Sequence, residues 1–358
     1  MTRAFHCILA IGAVLTLSVA CTERDPVRPP RSNPPQSPGT PSTPQSTGTE
    51  SDERTVRLLR VGDSTPIVLT DGSGPVWSPD GARIAFVSAR SGFSEIYVMN
   101  RDGSGITQLT SDTNLHAQLS WSPDGGRIAW IDDLRMKVMN SDGSDPRLLA
   151  TGQTGMYSEW DWMLVGAWSP DGQWLAYAGS RDGKIYLARA DGAVVRTLTD
   201  SSAPFADAGT PTWSPDGSRV AYASWGTIEV VNVQDGALTQ VLSDSTRSAG
   251  YPAWSPDGNS IAFLDRPDDA CPPASCGGAQ PFDVLHVMNA DGSARRQFTT
   301  GPTGVPRWSA DGRTVLVRIS GGLVAVPIDG SAAQLLSRVA ADGALSPDGQ
   351  WIAYDERR

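Results

Sequence analysis

Short apolar triplets recur along the chain, each set off by turn-forming polar residues. They are Ile84-Ala85-Phe86, Ile128-Ala129-Trp130, Leu175-Ala176-Tyr177, Val220-Ala221-Tyr222, Ile261-Ala262-Phe263 and Ile352-Ala353-Tyr354. A second apolar segment follows at similar distance, as in Ile96-Tyr97-Val98-Met99, Ile185-Tyr186-Leu187 and Val287-Met288. Runs of this length between Gly, Pro, Asp and Ser read as β-strands. Each triplet is preceded by one phrase, Trp-Ser-Pro-Asp-Gly, intact at 77–81, 121–125, 168–172, 213–217 and 254–258. It returns altered as Trp308-Ser309-Ala310-Asp311-Gly312 and as Leu345-Ser346-Pro347-Asp348-Gly349. Successive starts lie 44, 47, 45, 41, 54 and 37 residues apart.

The phrase has the chemistry of a hairpin connection. Proline presets φ for the first corner of a type I turn, aspartate suits the next position, and glycine takes the left-handed conformation that follows. A second turn, built on Asp-Gly at 102–103, 142–143, 191–192, 235–236, 291–292 and 329–330, closes the following strand pair. A last short strand ends near Leu109, Leu149, Leu198, Leu242, Phe298 and Leu336. Four short strands repeating with a period of this size predict an all-β propeller. Before Trp77 the chain supplies only the later half of a unit (56–61 and 67–69), and after Ser346 only the earlier half. N- and C-terminal strands sharing one blade would close the ring and remove its open edges. The expectation is seven blades. Six is the alternative, if the weak final copy starts no blade.

The N-terminal region carries different signals. Arg3 followed by the apolar stretch 8–17 has the pattern of a signal peptide over residues 1–20, too short for a typical membrane span. Ser18-Val19-Ala20-Cys21 resembles a bacterial lipobox, which would make Cys21 a lipid-modified residue; an ordinary cleavable signal is the alternative. After Cys21, residues 22–54 are rich in Pro, Ser, Thr and Gln without apolar periodicity, the composition of an extended linker. This divides the chain into a signal (1–20), a lipidated cysteine with its linker (21–54) and a propeller (55–358).

Composition narrows the partners. A formal net charge of −10, with no Lys/Arg cluster, argues against nucleic acid. Membrane association is expected through the lipid anchor alone. Six of the 12 tryptophans start a turn phrase, so much of the aromatic content belongs to the core. Apart from Cys7 and Cys21, the cysteines are Cys271 and Cys276, five residues apart; in an oxidising compartment they most simply form a loop-pinning disulfide. A zinc site there would need two more ligands, and His286 is the one histidine close in sequence.

The Trp-Ser-Pro-Asp-Gly, Ile-Ala-Phe, Ile-Tyr-Val-Met-Asn and Asp-Gly series resembles the WD-like β-propeller repeats of TolB-type proteins. The resemblance covers about 55–358 and implies a propeller without the α/β domain that TolB carries before it. Such repeats occur in periplasmic scaffolds, in peptidases and in some sugar-acting enzymes, so fold alone does not assign a role. No Gly-x-Ser-x-Gly nucleophile turn is present, which argues against a propeller peptidase. Sugar lyases on related propellers are expected to gather several histidines round a metal, whereas beyond the signal only His116 and His286 remain, on different blades. Turn chemistry accounts for the paired Asp-Gly acids. No catalytic residue, metal ligand or cofactor is expected.

In a four-stranded blade the first and third connections lie at one end. Here those are the short, uniform turns, so length variation falls on the opposite face. That face should carry 151–165, 201–209, 243–250, 265–283 and the segment before His116. Tyr157, Trp160 and Trp162 are the candidate partner-binding residues, since aromatic residues are enriched at interfaces and alternate positions of an extended segment point the same way. The expectation is a monomeric, lipid-anchored, exported propeller, periplasmic or at the outer membrane, that binds envelope proteins without catalysis. The alternative is an enzyme, or a sensor for a sugar or peptide, using the channel mouth on the loop-rich face.

Overall fold

The computed structural model describes residues 54–357 except 115, 133–134, 151–165, 180–183, 200–210, 225–226, 243–246, 268–283, 320–321 and 339–342. Within them twenty-eight strands form seven four-stranded antiparallel sheets, with no helix. Six blades are continuous in sequence: blade 1 spans 73–108, blade 2 116–150, blade 3 167–197, blade 4 212–242, blade 5 247–300 and blade 6 302–337. In each, strands pair in chain order. The seventh is composite. Ala344–Leu345 and Trp351–Arg357 supply its inner half, Arg54–Arg60 and Ile67–Asp71 its outer half. Arg54–Arg60 pairs with Trp351–Arg357 over seven consecutive positions, from Arg54 opposite Arg357 to Arg60 opposite Trp351. The seven-bladed expectation therefore holds, and the Leu345 copy does start a blade.

The turn phrase folds the same way in every copy. In the first, Ser78 Oγ donates to Asp80 Oδ1 (2.5 Å), the Ala82 amide donates to the same oxygen (3.0 Å), and the Arg83 amide donates to Ser78 Oγ (2.9 Å). Gly81, at φ 68°, donates its amide to Ser78 O at 2.9 Å. Serine and aspartate thus satisfy the turn's own amides, an arrangement that needs only local chain. The same bonds hold the Asp216 carboxyl at about 2 rather than 3.8, the Ser214 hydroxyl contributing most. Asp80, Asp124, Asp257, Asp311 and Asp348 are lowered for the same reason.

An acid-stability prediction follows from the sign of these shifts. A depressed folded-state pKa stabilises fully above the unfolded value, near 3.9, and that contribution is lost as pH falls toward about 2. Thermal midpoints should therefore drop between about pH 4 and pH 2, and Ser214→Ala should make the drop shallower. A pH-independent midpoint across that window would contradict the turn's role.

Packing between blades is also repeated. Trp77 Nε1–H donates to Ala344 O (2.9 Å), Trp121 to Val76 O (3.3 Å), Trp168 to Ser120 O (3.4 Å), Trp213 to Ala167 O (2.9 Å) and Trp308 to Ala253 O (2.9 Å). Every acceptor lies one residue before the phrase of the preceding blade. Arg83, Arg127 and Arg219 stack over Trp121, Trp168 and Trp254 of the following blade, with 4.7 to 5.9 Å from guanidinium to ring centroid. The apolar core accordingly lies between sheets. One cluster joins Val56, Leu58 and Ala353 of the composite blade to Trp77, Ile84, Phe86 and Met99 of blade 1.

Candidate functional site

The strand ends opposite the turn phrases carry a different kind of residue. Blades 2, 3 and 4 carry an exposed or half-exposed residue where the third strand begins there: Arg135, Lys184 (one residue before Ile185–Arg189) and Thr227. Blade 5 has Val284 and blade 6 Gly322. Blade 1 instead has Glu95, only 2% exposed. Thr110, in the connection to blade 2, donates its hydroxyl to Glu95 Oε2 (2.5 Å) and accepts the Ile96 amide (2.9 Å), which fixes both side chains.

His116 opens the innermost strand of blade 2, His116–Trp121, and is 4% exposed. The corresponding position, five residues before the phrase tryptophan, is Gly72 beside blade 1, Ala249 in blade 5 and Thr303 in blade 6. The ring lies edge-on to Trp130 with centroids 6.4 Å apart. Its Nε2 is 3.1 Å from Asp112 Oδ1 and 3.4 Å from Glu95 Oε2, and its Nδ1 is 3.9 Å from Asp132 Oδ1. Among the described residues neither ring nitrogen has a hydrogen-bond partner, nor does Asp132 Oδ1. Asp132 is buried and ion-paired with Lys137 through its other oxygen. Asp112 stands at the surface, where Oδ1 accepts the Asn114 amide at 2.8 Å.

Blade 5 has a related cluster at the same end. Asp265, fully buried, occupies the place of Asp132 and ion-pairs with Arg295, while His286 stacks on Phe263 at 5.4 Å. His286 is therefore packed in the core of its blade, with Nδ1 3.7 Å from Asp265 Oδ2. Both clusters were invisible as such in the sequence, where each acid closes an apolar strand. The signal available was an acid at a strand end that repeats elsewhere as Ser88, Gly179, Ser224 or Ile319.

The innermost strands are strained at one further place. Gln118 in blade 2 and Tyr251 in blade 5, each three residues before the phrase tryptophan, adopt φ 55°. Both sit in bulges that shift strand register, between Ala117 and Ser120 and between Gly250 and Ala253. Blade 1 has Gly74 at that position, with φ 58°. Bulges of this kind re-aim a side chain near functional openings. On the turn-phrase side, an open groove of about 440 Å³ between blades 4 and 5 is lined by Arg219, Asn259, Asn289 and Asp291. Arg219 is already engaged there with Trp254.

The residues singled out by sequence for lipidation (Cys21), for a disulfide (Cys271 and Cys276) and for partner binding (Tyr157, Trp160 and Trp162) all lie outside the described residues. The connections they occupy leave from strands whose described ends are at the His116 end of the blades. Leu149, near the end of blade 2, is buried, and a Cβ on Gly166, just before blade 3, would meet Ala176 O at 2.6 Å.

A family profile described as TolB beta propeller domain matches residues 132–358. A TolB homolog of Chlorobium luteolum is 32% identical over 148 residues, which is 40% of this chain and 32% of that protein. The Tol-Pal system protein TolB of Anaeromyxobacter dehalogenans is 51% identical over 39 residues, 11% of this chain and 9% of that protein. The chain thus spans about a third or less of the length of these curated relatives. Among solved structures, an oligogalacturonate lyase in complex with manganese superposes with a TM-score of 0.64 at 13% identity, covering 85% of this chain and 96% of that one. At that identity the likeness is one of fold alone.

Proposed function

The chain belongs to the TolB β-propeller domain family, and from that premise we propose that it is an exported envelope protein whose propeller is a non-catalytic docking scaffold. A lipid on Cys21 tethers it to a membrane, and the linker at 22–54 gives the domain reach. The name of one matched relative, Tol-Pal system protein TolB, makes proteins of that envelope system the first partners to look for. The docking region is the loop-rich face, with Tyr157, Trp160 and Trp162 as its aromatic anchors.

The single observation that supports this reading is the contrast between the two faces. At one end seven turns of identical length are locked by their own serine–aspartate bonds, leaving little side-chain functionality to spare. At the other end the connections differ from blade to blade in length and composition, as binding loops on a rigid scaffold do. The tether and linker fit a protein that must meet other envelope components at a distance.

Crosslinking in intact cells, followed by identification of captured proteins, tests the proposal. Envelope proteins should be captured by the wild-type chain, and the double variant Trp160→Ala, Trp162→Ala should capture at least several-fold less while folding normally. Cys21→Ala should move the protein from the membrane to the soluble fraction. Unchanged capture by the double variant, or capture of no envelope protein, would sink the docking role. Saturable binding or turnover of an oligosaccharide or peptide would instead favour an enzyme or sensor at the channel mouth.

A further inference from the structure

We propose that Glu95, Asp112 and His116 form a binding site for one divalent transition-metal cation, with Zn²⁺ the best fit. The three side chains come from three segments: the start of the third strand of blade 1, the connection between blades, and the start of the innermost strand of blade 2. One ligand atom of each lies within 4.8 Å of the other two. Zinc binds imidazole nitrogen at about 2.0–2.1 Å and carboxylate oxygen at about 2.0–2.2 Å, which for a tetrahedron sets ligand–ligand edges of about 3.3–3.6 Å. The edges from His116 Nε2, at 3.1 Å to Asp112 and 3.4 Å to Glu95, are close to that.

Geometry is not the only indication. Among the described residues, His116 is buried with neither ring nitrogen in a hydrogen bond, and Nε2 is aimed between two carboxylates. A buried polar group without a hydrogen bond is costly, so a cation on Nε2 would resolve the deficit. Glu95 poses the same problem from the other side. It is buried, and among the described residues no lysine or arginine ion-pairs with it. Blades 2 to 6 place Arg135, Lys184, Thr227, Val284 and Gly322 at that strand position, so the fold does not require an acid there.

The surroundings suit a ligand set. A carboxylate oxygen has two lone pairs, so Glu95 Oε2 accepts from Thr110 and retains one for coordination. Asp132 faces the remaining ring nitrogen of His116, the place where metal-bound histidines commonly have a carboxylate. Asp112, with its side chain 43% exposed, leaves an entry path and room for a water as fourth ligand. An imidazole with only two carboxylates disfavours Ca²⁺ and Mg²⁺, which take all-oxygen sets of six or more. The cation would join blades 1 and 2 beside the loop-rich face, independently of any partner.

Calorimetric titration of ZnCl₂ into the chelator-stripped full-length protein is the test, with Co²⁺ absorption as a report of tetrahedral coordination. One equivalent should bind. His116→Gln and Asp112→Asn should each weaken it at least about 100-fold, because even outer-shell partners are commonly worth about 10–100-fold. His286→Gln should bind as the wild type does. Asp112 is at the surface, so Asp112→Asn keeps the test valid even if the buried variants fold poorly. No zinc binding by the wild-type protein overturns the site. So does binding by Asp112→Asn or His116→Gln that is as tight as in the wild type.

Discussion

Deleting residues 351–358 is expected to abolish cooperative folding, the largest effect of any change considered. The strand lost, Trp351–Arg357, is the one that joins the N-terminal and C-terminal strands in the sheet of the composite blade. It pairs on one side with Arg54–Arg60 and on the other with Ala344–Leu345. Ile352, Ala353 and Tyr354 are buried, and their loss would expose Val56, Leu58 and Leu59, also buried. Removing large buried side chains costs about 2–5 kcal/mol each. Two or three such losses approach the whole stability of a typical domain, about 5–15 kcal/mol. The ring would in addition gain two open strand edges, which invite aggregation. Urea unfolding followed by tryptophan fluorescence, with size-exclusion chromatography, measures this. A truncated chain that stays monomeric and unfolds in a single transition near the wild-type midpoint would mean that the ring closes without its clasp.

The second large effect concerns the tryptophan that opens each phrase. Trp213→Ala should cost about 3–5 kcal/mol, as other large buried aromatics do. The indole of Trp213 is packed with Ala176, Leu187 and Val220, in a cluster that joins blades 3 and 4, and donates to Ala167 O. Trp213→Phe separates the two contributions. It keeps most of the apolar contact but strands a carbonyl, at about 1–2 kcal/mol. Trp254 supplies the control, because its buried indole nitrogen has no partner. Trp254→Phe removes no hydrogen bond and a desolvated donor with it, so it should be less destabilising than Trp213→Phe. Equal losses in the two phenylalanine variants would show that the indole bonds between blades contribute nothing.

Each turn phrase was legible in the sequence because its conformation is enforced within about five residues. Proline restricts φ, the serine hydroxyl and aspartate carboxylate satisfy nearby amides, and glycine accepts φ near 70°. Even the copy that begins with Leu345 keeps Ser346, Asp348 and Gly349, and it folds like the others. The division of the last blade was legible too, since half a unit at each end can be completed only by the other half.

The candidate cation site was not legible. Glu95 and His116 are separated by a full strand and a connection, and in the sequence His116 is one of two histidines beyond the signal, on different blades. Only the staggered pairing of adjacent sheets brings Nε2 to within 3.4 Å of the glutamate. Nor did periodicity distinguish Glu95 from Lys184 or Arg135, because the residue that opens a strand can face solvent or the neighbouring blade. Tyr157, Trp160 and Trp162 stand out by residue type and alternate spacing in an irregular connection, and their role rests on the capture experiment.

By itself, then, the sequence determined the four-strand repeat and the place of every turn phrase, and it pointed to seven blades with a shared closing blade, leaving six as the alternative. All are products of local conformational preference repeated at intervals of 37 to 54 residues. Tertiary structure alone decided which indoles reach a carbonyl and which acids become buried. It also decided which histidine is set among carboxylates, because those outcomes depend on angles and separations between neighbouring blades that no single repeat encodes.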